Sequence, residues 1–132
     1  MGKNGSLEGL LFASCTANAN GKRIRAFISS ANTGATAGVG GTRFVNLNIG
    51  AQSSTAIVGM RGFGLFNKNS ESSQISHPSA SAGVSAATST FDFENLGIDT
   101  TQTFYITIGL QKDITTDALQ LQMARVQVNY AP

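Results

Sequence analysis

A chain of 132 residues has room for one domain and buries roughly two-thirds of the surface its unfolded form exposes. Charged residues make up 12% against 41% apolar, so a core can form and the composition of a disordered chain is missing. A net charge of +2 and a single Cys argue against a broad nucleic-acid footprint and an intramolecular disulfide, and no run approaches the ~18 apolar residues of a membrane helix.

Met1 to Ser6 holds Gly, Asn, Lys and Ser around one Met and is expected to form a flexible arm that orders only against a neighbour. Its myristoylation-like start and its Asn4-Gly5-Ser6 sequon are read as accidents of composition. The sandwich domain is then expected over residues 7–132. Leu7 to Ala17 is the first strand, and the Asn20-Gly21 step after it predicts a tight hairpin turn. Lys22 to Ser30 alternates cleanly, with Ile24, Ala26 and Ile28 on one face and Arg23 and Arg25 on the other. Ala31 to Gly41 has no apolar period and reads as a loop.

From Arg43 to Gly50, Val45, Leu47 and Ile49 are expected inward, with Phe44, Asn46 and Asn48 outward. Gln52 to Thr55 makes a turn, and Ala56 to Phe66 is a strand whose Gly59, Gly62 and Gly64 signal a bulge or a close backbone approach. After a polar turn at 67–73, Gln74 to Ala87 offers only a short edge strand near Ile75 or Val84. Phe91 and Phe93 share a face opposite Asp92 and Glu94, and Asn95 to Thr101 turns again.

Two long alternating runs close the chain. In the first, Phe104, Ile106, Ile108 and Leu110 alternate with smaller or polar residues; in the second, Leu119, Leu121 and Met123 give way to Ala124, Val126, Val128 and Tyr130. The polar stretch from Gln111 to Asp117 predicts an antiparallel hairpin, and the change of phase at Met123–Ala124 demands a bulge or a bend. The fold class expected is all-β: a two-sheet antiparallel sandwich, jelly-roll-like, of about eight strands.

Catalytic chemistry has few carriers. His77 stands in a Ser-rich loop without metal-ligand spacing or a nucleophile motif. The Asp92/Glu94 pair reads as the solvent face of an amphipathic strand, and Asp113 and Asp117 lack the alternation of a calcium loop. Gly38-Val39-Gly40-Gly41 lacks the Lys of a phosphate loop. Exposed aromatics can stack on sugars or fill a subunit interface, and with no Trp the interface is favoured. Leu7, Leu10, Phe27, Phe44 and Tyr105 are the residues expected there.

Three stretches carry a resemblance: Gly21-Lys22-Arg23-Ile24-Arg25-Ala26, Phe44-Val45-Asn46-Leu47-Asn48-Ile49-Gly50, and the closing runs from Asp99 to Thr107 and from Leu119 to Val128. Their strand patterns resemble the small β-sandwich surface domains of tailed bacteriophage particles, over most of residues 21–130. The resemblance implies a non-enzymatic virion protein: a capsid decoration, cement or knob subunit, expected as a homotrimer on the capsid surface beside the major capsid protein. It brings no catalytic residues, and no cofactor, direct nucleic-acid contact or membrane partner is expected from the residues. The alternative is a receptor- or glycan-binding head of a tail fibre or spike; a free-standing hydrolase is disfavoured by the missing nucleophile and His motifs.

Overall fold

The computed structural model describes residues 1–31, 41–49, 56–77 and 94–132. The segments 32–40, 50–55 and 78–93, with Gly38, Val84, Phe91, Asp92 and Phe93, lie outside the described residues, as do the side chains of Leu47, Asn48, Ile49, Glu94 and residues 56–61. Among the described residues there are eight strands and no helix: β1 (Ser6–Cys15), β2 (Lys22–Ser29), β3 (Thr42–Ile49), β4 (Ala56–Asn67), β5 (Gln74–His77), β6 (Glu94–Leu96), β7 (Tyr105–Lys112) and β8 (Leu119–Asn129). They form two antiparallel sheets, ordered β6-β5-β4-β1-β8 and β3-β2-β7. β3 lies against β4 and β5 of the larger sheet, and β7 lies against β8.

The inward rows are the alternating apolar positions. Leu7, Leu11, Ala13 and Cys15 of β1 meet Ile24, Ala26 and Ile28 of β2, with Phe63 and Leu65 of β4 in the same buried cluster. Gly9 continues the β1 row without a side chain. A Cβ there would collide with the Phe63 ring, which lies across the strand at that point.

Neither expected hairpin forms. β1 pairs with β8 and β2 pairs with β7, so the connections 16–21 and 113–118 each cross from one sheet to the other. Alternation reports which face of a strand is buried, and two facing sheets satisfy it as well as one hairpin does. The nested order of first with last and second with seventh strand is the part of a jelly-roll-like path that is present. β4, β5 and β6 instead follow one another as a meander.

Bulges reset three inward rows. In β3 the pairing steps from Ala26↔Val45 to Phe27↔Arg43, which leaves Phe44 as an extra residue. Phe44 therefore turns inward beside Val45, correcting the outward assignment, and its ring meets Phe63 edge-on with centroids 5.9 Å apart. In β8 the pairing steps from Ala13↔Leu121 to Phe12↔Met123, so Gln122 is the extra residue. The expected bulge exists, one residue earlier than the phase change suggested. Met123 consequently joins the outer face and is 44% exposed, which corrects its assignment to the core. Opposite the same Phe12, β4 contributes Gly59 and Met60 between Val58 and Arg61, the irregularity its glycines signalled.

The N-terminal residues are not a free arm. Met1 is buried in the core cluster, its amine donates to the Thr100 carbonyl (2.8 Å), and Asn67 N–H bonds the Gly5 carbonyl (3.0 Å). The Asn67 side chain donates to the Gly2 carbonyl (2.7 Å) and to Thr100 Oγ1 (2.9 Å), while Ser70 N–H reaches the Lys3 carbonyl (3.1 Å). Low apolar content hid this, because the segment is held by backbone groups rather than by a hydrophobic stripe. Removing residues 1–5 should lower unfolding stability by about 2–4 kcal/mol in urea titration, through the lost Met1 side chain and these hydrogen bonds. Phe44→Ala should cost about 3–5 kcal/mol in the same assay, and Phe27→Ala, on the outer face, much less.

Candidate functional site

The five residues expected at a subunit interface are not brought together. Leu7 is fully buried, because it opens the inward row of β1 between Leu65 and Val128; Phe44 is fully buried through the β3 bulge. Both are core residues. Leu10 is half-buried on the outer face of the larger sheet, where it lines an open trough of about 330 Å³ with Glu8, Gly62, Arg125 and Gln127. Phe27 and Tyr105 share the outer face of the smaller sheet, offset by one register step, with Tyr105 the more exposed.

That outer face also carries Arg23 and Arg25, opposite Ile24 and Ala26 as expected, and Arg43 across from Phe27. Arg23 is paired with Asp113 at 2.6 Å, and Arg25 donates to Asn46 Oδ1 at 3.3 Å. Burial first, then the neighbouring Arg43 and Arg23, hold the Arg25 guanidinium below its ordinary pKa.

The remaining carboxylates of the closing segment serve structure. Lys22 is 0% exposed, and its ammonium donates to Asn18 Oδ1 (2.6 Å) and to the Asn20 carbonyl (3.1 Å), with Asp117 Oδ2 at 3.3 Å. Asn18 and Asn20 amides donate to the two oxygens of Asp117 at 2.8 and 3.0 Å. Thr16 and Ala118 bond each other across the two crossovers, and Asp113 N–H donates to the Gly21 carbonyl (3.0 Å). A Cβ at Gly21 would meet the Asp113 carboxylate, which would have to shift to admit it. The polar run from Asn18 to Lys22 was the available signal for this network, and it is equally the composition of a hairpin turn.

His77 ends β5, paired with Gly64. Among the described residues no three His, Cys, Asp or Glu side chains gather as a metal site.

The exposed large apolar side chains fall mostly on or beside the last two strands, where Tyr105 and Met123 point to the two outer faces. Apart from Phe66, such side chains among the described residues lie on β7, β8 or the segments beside them: Tyr105, Leu110, Ile114, Met123, Val126 and Tyr130. Leu110 pairs with buried Ile24, and Val126 pairs with Gly9, so both belong to inward rows. They are nevertheless 41% and 39% exposed, and among the described residues no strand lies beyond β7 or β8 on that side. This open side is the candidate functional surface. Comparison with protein-family models, curated proteins and solved structures finds no match for the chain.

The Asp117 carboxylate is held below the usual range by the Asn20 and Asn18 amides and then by Lys22; Thr101 does the same for Asp99. A depressed folded-state pKa adds stability above the unfolded value of about 4, and that stability is lost as pH falls through the folded value. The urea midpoint should thus stay level from neutral pH down to about 5 and fall in more acidic buffer. Asp117→Asn should lower the midpoint at pH 7 and flatten the acid fall, measured as urea midpoint against pH.

Proposed function

We propose that the protein is a non-enzymatic structural subunit of a bacteriophage particle, of the capsid decoration, cement or knob kind. It works as a closed homo-oligomer, a trimer by the resemblance, seated on the major capsid protein. The observation that carries this reading is the apolar open side formed by β7 and β8 in a chain only 12% charged. Exposed apolar side chains grouped on one side are a feature of interaction surfaces, and a subunit of an assembly has a neighbour to cover them. Asp113 and Asp117 are occupied by Arg23 and Lys22, which favours a structural over a catalytic use of both. The strand patterns at 21–26, 44–50 and 99–128 supply the resemblance to phage surface domains.

Mass spectrometry of purified particles, before and after mild stripping, tests the reading. The chain should leave with the stripped fraction of the heads, and added purified protein should rebind stripped heads while a glycan array stays blank. Recovery with tails only, together with specific glycan signals, would instead establish the receptor-binding head.

A further inference from the structure

We infer that the open β7–β8 side is covered by the same side of a second copy of this chain, with edge strands pairing across the contact. This rests on the homo-oligomer proposed above and names the surface that makes it.

Natural sheets blunt their free edges with short strands, charges, proline or inward-pointing lysine, because an unpaired edge templates pairing with another chain. The chain treats its edges unequally. At one side of the larger sheet, β6 has 3 residues and carries Glu94; at the other, β8 has 11 residues and one charge, Arg125. β7, the edge of the smaller sheet on that same side, has 8 residues and a single charge at its last position, Lys112. Neither strand contains proline. β3, the remaining edge of the smaller sheet, also has 8 residues and one charge, Arg43, but it lies against β4 and β5 rather than beside a second free edge. Among the described residues β7 and β8 are the two lightly charged edges that lie together, and each carries an exposed inward-row residue, Leu110 and Val126.

A second copy fits this surface on charge and on geometry. Antiparallel pairing of β8 with itself about Ala124 sets Arg125 opposite Met123, so no like charges meet. β7 and β8 also run antiparallel to each other, since β8 opposes β1 and β7 opposes β2 across the crossovers. An axis along the strands accordingly places β8 of one copy antiparallel beside β7 of the next, as a closed trimer requires. Either arrangement joins the exposed inward rows into one buried seam and satisfies backbone groups that otherwise face water.

The test is sedimentation of the wild type, of Val126→Lys with Leu110→Lys, and of Phe66→Lys as a control on an exposed apolar residue away from the open side. The double variant should weaken self-association at least about 100-fold, since inward-pointing lysine is the device that natural edges use against pairing. Phe66→Lys should associate as the wild type does, and circular dichroism should show all three proteins folded. Amide exchange of the wild type supplies a readout free of substitution: β7 and β8 amides should slow at least about 10-fold between dilute and concentrated protein as edge N–H groups become bonded. An oligomer that survives the double variant, or protection gained elsewhere, overturns this surface and leaves the homo-oligomer standing. A wild type that is monomeric at all concentrations overturns both.

Discussion

An ammonium group enclosed at the end of a sandwich has to be ligated, and Lys22 draws its ligands from both chain crossovers. Asn18 and Asn20 come from the connection between β1 and β2, and Asp117 comes from the connection between β7 and β8. A buried ion pair adds little net stability over an apolar substitute, but a buried lysine that loses its partner is strongly unfavourable. The two crossovers, running side by side, keep Lys22 satisfied. In the same arrangement β7 lies in the sheet of β2 and β8 in the sheet of β1.

With the last two strands divided between the sheets, each becomes an edge, and both edges lie on one side. Their inward rows begin in the core, where Ile106, Ile108, Leu119, Leu121 and Val128 pack against the buried cluster. Leu110 and Val126 of the same rows are exposed. The opposite side ends in the short β6, and the far end of the molecule is tied by the buried Gln74, whose side-chain amide bridges Ile98 N–H and carbonyl to the Glu71 carbonyl. The same N-terminal region that reads as a loose arm is stitched into that end through Asn67 and Thr100. Among the described residues the exposed inward-row side chains are thus on β7 and β8.

Bulges show how much a single inserted residue changes. Phe44 and Met123 both stand where strict alternation assigns the wrong face. At Phe44 the extra residue adds an aromatic ring to the core against Phe63; at Gln122 it hands Met123 to solvent and returns Ala124, Val126 and Val128 to the inward phase. β8 and β4 are both irregular at the level of Phe12, so the sheet is reshaped on both flanks of β1 at one height.

Alternation along the chain was enough to establish an all-β sandwich, the inward rows of β1 and β2, the outward arginines and the slip late in β8. Each of these is a local consequence of a period of two set against one buried face. Of the candidate contact residues, Tyr105 and Phe27 were legible as outward for the same reason. Tertiary structure alone decided that Leu7 and Phe44 are core, that Met1 to Gly5 is docked, and that Leu110 and Val126 are left uncovered. Those outcomes depend on partners far away in sequence. Ser6 pairs with Asn129, Lys22 with Lys112, and Met1 with Thr100. Periodicity states that a strand has an inside, whereas only the choice of neighbours determines whether anything covers it.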